Sequence, residues 1–200
     1  MNGFEQALVS NMGSFNLYLP TETVARLGDY YSLLTRWNDR LHLVAPCAPE
    51  EFAVRHVLES LLLLRYLPSE ASVADIGSGG GLPIIPCLIA RPDLEATLIE
   101  SSQKKVVFLR EALTRLSLPA DVVGKPFEDV PAPPVSFVTC RALDQFMRKL
   151  PALINWAPRN STLLLFGGET LGQQLRRASV TFEQLLIPQS EKRYLFLATD

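Results

Sequence analysis

The sequence predicts an α/β fold in which an N-terminal helical extension precedes a seven-stranded, mostly parallel sheet. Early in the chain, apolar residues recur at helical spacing, and from Ala71 onward short aliphatic runs alternate with helical segments. The last two strand-like runs are separated only by PQSEK, which is too short for a parallel crossover, so the sheet should end in an antiparallel hairpin. With 200 residues and 48% hydrophobic content, the chain can bury one core.

Three helices are expected in the extension, at 3–12, 21–38 and 49–66. The second shows the clearest pattern, because Val24, Leu27, Tyr31 and Leu34 recur at intervals of three and four after the start signal at Pro20. Pro68 closes the third helix. We expect residues 1–68 to pack as an extension on a domain of residues 69–200, the two forming one globular unit.

Short aliphatic and β-branched runs separated by helices characterise the rest of the chain, as in a parallel sheet covered on both faces. Strands are expected at 72–76, 95–99, 120–124, 135–139, 161–166, 181–187 and 193–199. Helices are expected at 84–91, 102–116, 143–156 and 169–178. Seven strands with an antiparallel pair at the end form the sheet of the class I S-adenosylmethionine-dependent methyltransferases, which is Rossmann-like.

Composition excludes several classes of protein. The 19 basic and 21 acidic residues give a formal charge of −2, which excludes a strongly cationic nucleic-acid coat protein. Residues 101–150 are nevertheless locally basic, with eight basic and five acidic side chains.

The N-terminus does not resemble a secretion signal, because it has no basic region and carries Glu5. No apolar run approaches the ~20 residues of a membrane span. Three cysteines without C-x-x-C spacing suit reduced thiols and no metal site, so we expect a cytoplasmic protein without membrane contact.

The glycine-rich loop VADIGSGGGLP at residues 73–83 predicts a cofactor site, because glycines let backbone N–H groups approach a ligand closely. The loop does not match a dinucleotide fingerprint, since Leu82 or Ile84 stands where the third glycine would be. Asp75 would repel a pyrophosphate but can accept hydrogen bonds from an ammonium group. Glu100, at the end of the second strand, can accept from ribose hydroxyls. The residues therefore favour S-adenosylmethionine over NAD, with Gly77, Gly79 and Gly81 shaping the site.

Between about residues 30 and 145 the chain resembles the GidB family (glucose-inhibited division protein B), the 16S ribosomal RNA guanine-N7 methyltransferases. The similar segments are Tyr30-Tyr31, WNDRLHL at 37–43, His56 with Glu59-Ser60-Leu61, DIGSGGGLP at 75–83, Glu100-Ser101, Lys104-Lys105, Phe108-Leu109, Phe127-Glu128 and Cys140-Arg141-Ala142. The tryptophan–asparagine segment and the glycine loop are the diagnostic ones, and they occur in the family's order.

This resemblance implies both a cofactor site and an RNA site. The cofactor contacts it implies are Gly77, Leu82, Glu100, Phe127, Glu128 and Arg141. Backbone groups at Phe127 and the carboxylate of Glu128 would bracket the adenine edge, while Arg141 and His56 are candidates for positioning roles. The RNA candidates are Asn38, Arg40, His42, Lys104, Lys105 and Lys125, and the expected partner is 16S ribosomal RNA or the small ribosomal subunit.

The chain departs from the family pattern at five places. The family usually has glycine at Ile84, arginine at Pro126, asparagine at His42, aspartate at Glu59, and lysine-glycine at Phe166-Gly167. Lys125 lies next to the missing arginine and can take its place.

Guanine N7 methylation needs alignment of the acceptor with the methyl group but no obligatory base, and the chain has no N-P-P-Y segment after the fourth strand. Cys140 beside Arg141 raises the possibility of cytosine-C5 methylation through a thiolate, although a buried structural thiol is the commoner explanation. The residues are also compatible with a small-molecule methyltransferase and with a non-catalytic RNA- or ribosome-binding protein. The low pI and the absence of heptads favour a monomer.

Overall fold

The structure is a computed structural model that describes residues 2–141 and 146–199. Its strands are β1 (Ser72–Ile76), β2 (Glu95–Ile99), β3 (Ala120–Val123), β4 (Phe137–Arg141), β5 (Thr162–Gly167), β6 (Thr181–Leu186) and β7 (Tyr194–Thr199). They form one sheet in the order β3-β2-β1-β4-β5-β7-β6. β1 to β5 are parallel, whereas β7 pairs antiparallel with both β5 and β6. The predicted mostly parallel sheet with an antiparallel hairpin at its end is confirmed.

Helices occur before the sheet and between its strands. They are α1 (Gly3–Asn11), α2 (Thr21–Leu41), a composite α3, α4 (Ile84–Ala90), α5 (Gln103–Arg115), α6 (Phe146–Trp156) and α7 (Glu169–Arg177). The composite α3 runs through α-helical Pro49–Phe52, π-helical Ala53–Leu58, α-helical Glu59–Leu61 and 3-10 helical Leu62–Arg65. Single 3-10 turns lie at Met12–Phe15 and Phe127–Asp129. Within the described residues, no helix is long and apolar enough to cross a membrane.

Both faces of the central strand β1 are covered, and the four residues from Val73 to Ile76 are buried. Val73 faces the larger apolar cluster, together with Cys87 of α4 and residues of α1 to α3. Ala74 and Ile76 face the second cluster, which includes side chains of α6 and α7. Alternate residues of a strand point to opposite faces, so a strand buried on both sides favours apolar residues, and the buried Asp75 is the exception in β1.

The N-terminal extension is held together by aromatic packing and continues into the sheet's core. Phe4 of α1 stacks on Tyr31 of α2 with ring centroids 4.6 Å apart, and Tyr31 lies 5.0 Å from Phe52 of α3. These helices and α4 share one apolar cluster with the sheet, so the extension and the sheet have a common core. The domain boundary after residue 68 stays a prediction.

Three predicted elements differ from those observed or lie partly outside the described residues. The fourth strand, expected at 135–139, runs from Phe137 to Arg141, because Phe137 pairs with Val73 of β1 and Thr162 of β5. The third helix, expected to be regular, contains a π-helical segment, which apolar periodicity does not reveal. Residues 143–145 of the predicted helix at 143–156 lie outside the described residues.

Candidate functional site

The glycine loop leaves β1 at the carboxyl edge of the sheet. Gly77 donates its N–H to the carbonyl of Ile99 in β2 at 2.8 Å, which fixes the start of the loop. Gly79 has φ +53° and Gly81 has φ +83°, in the left-handed region that side chains disfavour. At Gly79 a Cβ would meet nothing nearer than the carbonyl oxygen of Gly77 at 3.6 Å. The space above Gly79 is therefore open to a ligand.

Glu100 follows β2 and joins its loop to the glycine loop. Its side chain is 6% exposed. One carboxylate oxygen accepts from the N–H of Gly79 at 2.8 Å, and the other accepts from the N–H of Ser102 at 2.8 Å. The Ser101 hydroxyl lies 3.5 Å from the oxygen that binds Ser102, whereas the oxygen that binds Gly79 keeps a lone pair that can accept from a ligand hydroxyl group. The structure thus brings Glu100 to the loop, and its contact with ribose hydroxyls stays a prediction.

Asp75 is the most unusual group near the loop. It is fully buried in β1, and both of its carboxylate oxygens lack a hydrogen-bond partner. Burial raises the pKa of Asp75 to about 8, and the nearby Glu100 adds to the rise. A buried carboxyl group without a partner is costly, and a ligand that donates to it would relieve that cost.

A cleft of about 250 Å³ lies over the loop, and the N-terminal extension forms its other wall. The cleft is lined by Gly77 to Gly80, Leu82, Leu43 to Ala45, His56, Lys105 and Arg141. We call Leu43 to Ala45 the wall segment. Asn38 fixes this segment, because its amide both donates to the carbonyl of Val44 at 3.1 Å and accepts from the N–H of Val44 at 2.9 Å. The buried hydroxyl of Tyr30 donates to the carbonyl of Gly80 at 2.7 Å. The extension therefore contributes directly to the cleft.

Arg141 ends β4 and lies at the boundary between this cleft and a second cavity. Its guanidinium donates to the Glu59 carboxylate and to the Ser60 hydroxyl, each at 3.3 Å, and to the backbone carbonyls of Arg55 and His56. Burial lowers the pKa of Arg141, but Glu59 opposes that shift. Glu59 is 1% exposed and also accepts from Arg193, at 3.0 and 2.6 Å.

His56 lies in the π-helical segment of α3, beside Arg141. Burial, followed by the charges of Arg141, Arg55 and Arg193, lowers the pKa of His56 to about 3. The imidazole is therefore neutral near pH 7. Its ring is tilted on Phe52, with centroids 5.0 Å apart, so its position is fixed on two sides.

The turn after β3 is the expected adenine site. Phe127 is 3% exposed and packs edge-on against Trp156 at 5.8 Å, within the second apolar cluster. Glu128 pairs with Lys149 at 2.9 Å, and this pair lowers the pKa of Glu128 against the effect of partial burial. The Phe127 ring is thus part of the core, which leaves the backbone of this turn as the group that can meet a ligand.

The six RNA candidates fall into two groups. Lys105 lines the cleft, and Arg40, Lys104 and Lys125 are exposed. Asn38 instead holds the wall segment. His42 is exposed and ends α2 with φ +49°, a conformation for which asparagine and glycine are the usual residues. The asparagine that the family has there thus suits the end of a helix.

Sequence reasoning missed two features of the site. Arg193 precedes β7 in the segment EKR, which looks like an ordinary charged turn, yet it binds Glu59. Tyr30 lies in a helical pattern that predicts core burial, and nothing in that pattern indicates its bond to Gly80. Cys140 is buried and does not line the cleft. In the part of the chain that the structure describes, no three His, Cys, Asp or Glu side chains group as metal ligands.

Comparison with known proteins identifies the family. The family model described as rRNA small subunit methyltransferase G (GidB) matches residues 23–197. The chain belongs to the GidB family. The ribosomal RNA small subunit methyltransferase G of Sorangium cellulosum is 33% identical over 182 residues, covering 87% of this chain and 76% of that protein. The protein of the same name from Xanthomonas axonopodis is 44% identical over 117 residues, covering 58% of this chain and 55% of that protein.

Solved structures agree on the fold. An S-adenosylmethionine-dependent methyltransferase from Aquifex aeolicus superposes with a TM-score of 0.62 at 14% identity, covering 84% of this chain and 98% of that one. GidB proteins are S-adenosylmethionine-dependent methyltransferases. The residues present fit that cofactor, because the loop leaves open space at Gly79 and the unpartnered Asp75 carboxyl lies in the strand that leads into it.

Proposed function

We propose that this chain transfers a methyl group from S-adenosylmethionine to N7 of a guanine in 16S ribosomal RNA. The observation that carries the proposal is the cleft between the glycine loop and the GidB-like N-terminal wall, with Arg141 and Lys105 at its border. When bound, S-adenosylmethionine supplies a methyl group on a positively charged sulfur. Guanine N7 has a lone pair and no proton, so the residues need to orient the acceptor and exclude water without removing a proton.

The cofactor residues have separate roles in this proposal. Gly77, Gly79 and Gly81, with Leu82, form the surface against which the cofactor lies. Asp75 accepts hydrogen bonds from the cofactor's ammonium group, and its unpartnered oxygens support that role. Glu100 accepts from the ribose hydroxyls. The backbone at Phe127 and Glu128 borders the adenine, since the Phe127 side chain is in the core.

Binding of RNA is assigned to the cations around the cleft. Lys105 lines it, and Arg40, Lys104 and Lys125 are the further cations that we assign to the phosphate backbone. Such contacts release counterions, so the affinity for RNA should fall steeply as salt rises. Asn38 and His42 act indirectly in this proposal, through the wall segment and the end of α2.

The decisive experiment is incubation with tritiated S-adenosylmethionine and small-subunit RNA from a strain that lacks the corresponding methylation. Label in 7-methylguanosine after digestion supports the proposal, and absence of label despite cofactor binding contradicts it. Parallel reactions with naked RNA and assembled subunits identify the substrate form.

The Arg141→Ala variant should lower turnover by more than tenfold, as expected for a residue that orients a reactant. Unchanged turnover would remove Arg141 from the site.

A small-molecule substrate is the second candidate, because the cavity beside Arg141 has a volume of about 490 Å³, within the range of ligand pockets. The two candidates differ in their salt dependence. Affinity for RNA should drop by orders of magnitude between low and moderate salt, whereas affinity for a compact neutral molecule should change little.

We also propose that the enzyme acts as a monomer and that residues 1–68 are an extension of the catalytic domain. The sequence has no heptad pattern for a helical dimer seam, which supports a monomer. Light scattering after size-exclusion chromatography should give one mass near 22.2 kDa. Twice that mass would contradict the monomer.

A further inference from the structure

The second cavity lies beside the ends of β4 and β5 and the start of α7, and it shares two residues with the cofactor cleft. Arg141 and His56 line both spaces, so a ligand in one would meet a ligand in the other at these side chains. The cavity wall is apolar at Phe166, Met147 and Ile187. The Arg141 guanidinium carbon lies 5.4 Å from the centre of the Phe166 ring. Aromatic side chains and arginine planes are the groups on which unpaired RNA bases stack, so these walls suit a flat base.

The polar side of the cavity is rigidly organised. Glu59 accepts from Arg141 and Arg193 at once, which joins the end of β4 to the residue before β7. Arg141 also donates hydrogen bonds to the Ser60 hydroxyl and to the backbone carbonyls of Arg55 and His56. With so many donors engaged, Arg141 is held in one orientation between the two spaces.

Arg141 also determines which nitrogen of His56 carries the hydrogen. One guanidinium nitrogen lies 3.4 Å from His56 Nδ1. That nitrogen already donates its two hydrogens to the Arg55 carbonyl and to Glu59. The positive charge of the guanidinium nevertheless favours a lone pair over a hydrogen at Nδ1, which places the hydrogen of a neutral ring on Nε2. Burial among Arg55, Arg141 and Arg193 keeps the ring neutral. His56 therefore carries one fixed donor at the junction of the two spaces.

We propose that the second cavity receives the acceptor base and that the Nε2–H of His56 selects a purine with an oxygen at position 6. In guanine O6 is an acceptor on the same edge as N7, whereas adenine has an amino group there. An amino group facing the His56 donor would leave both groups unsatisfied. This inference rests on the proposed function. It adds where the acceptor base binds and which side chain recognises it.

The base-reading role can be tested with RNA that carries guanosine, inosine or 2,6-diaminopurine at the methylated position. Inosine keeps O6 and N7 and should be methylated. Diaminopurine keeps N7 but has an amino group at position 6, and its kcat/KM should fall on the order of 100-fold. In the His56→Gln variant the glutamine amide can either donate or accept a hydrogen bond, so the ratio of kcat/KM for guanosine to that for diaminopurine should fall below tenfold. A purely structural role would lower all three rates together and overturn this role for His56.

The location can be tested by filling the cavity. Thr170 is exposed and lines it, so Thr170→Trp should raise the KM for RNA at least tenfold while the Kd for S-adenosylhomocysteine stays unchanged. Arg177→Trp, about two turns further along α7, is the matched control and should change neither value. Equal effects of the two variants would overturn the location.

A third readout needs no turnover. Nitrogen-15 NMR of labelled histidine should show His56 as the neutral Nε2–H tautomer from pH 8 to pH 5, and a Nδ1–H or charged ring would overturn the inference.

The methylation assays separate this inference from the proposed function. If the wild-type enzyme methylates guanosine and diaminopurine equally well, the inference is overturned but the proposed function still stands. Wild-type enzyme that labels no RNA overturns both.

Discussion

Replacement of Glu59 by glutamine removes a negative charge that Arg141 and Arg193 share. Glu59 is 1% exposed, and its carboxylate accepts from Arg193 at 2.6 Å and from Arg141 at 3.3 Å. Loss of one partner from a buried ion pair costs about 3–5 kcal/mol, because the remaining charge stays buried. Arg193 is 37% exposed and the amide keeps one acceptor, so we expect the lower limit, about 3 kcal/mol.

For a chain of this length each kcal/mol shifts Tm by about 2–4 °C, so Glu59→Gln should lower Tm by about 6–12 °C. Urea unfolding followed by circular dichroism measures the free-energy change. The control is Glu111→Gln, which breaks the surface pair with Arg115 on α5 and should cost about 0.3–0.5 kcal/mol. A Glu59→Gln loss below about 1 kcal/mol would refute the conclusion that the network stabilises the fold.

Three further predictions concern the cofactor cleft. The pKa of Asp75 is raised in the folded state to about 8, so ionisation of this carboxyl group destabilises the fold as pH rises from about 4 to 8. The Asp75→Asn variant should therefore have a higher Tm than the wild-type protein at pH 8. In calorimetry the same variant should bind S-adenosylhomocysteine at least tenfold more weakly than the wild-type protein. Gly79→Val should abolish that binding because its side chain fills the ligand space; unchanged affinity would refute the assignment of the loop. Tyr30→Phe should cost about 1 kcal/mol of stability and weaken cofactor binding through the lost bond to Gly80, and an unchanged Kd would show that the hydroxyl does not position the loop.

The sheet could be predicted from the sequence because each strand leaves a local signal. Short aliphatic runs, glycine at the turn after β1 and the short link between β6 and β7 determine the strand types and the hairpin. The π-helical segment that carries His56 leaves no such signal, since it depends on packing against α1 and on contacts with Arg141.

The sequence placed Glu100 at the end of the second strand and Phe127 after the third, and parallel strands end at the same edge of the sheet. It did not indicate the hydrogen bond from Gly79 to the Glu100 carboxylate. Nor did it indicate that the Phe127 ring packs on Trp156, which is 29 positions later in the chain. Arg193 is 134 positions from Glu59, and no local pattern links residues so far apart.

The position of β7 has a consequence for how the enzyme is made. The last strand in the chain lies between β5 and β6, and the arginine just before it binds Glu59 in the N-terminal third. A nascent chain that lacks residues 190–199 has β5 with an open edge and β6 without a neighbour, and both invite aggregation or degradation. Residues up to Thr199 must therefore be synthesised before the sheet closes, so a chain terminated before residue 190 should be cleared before it can compete for RNA.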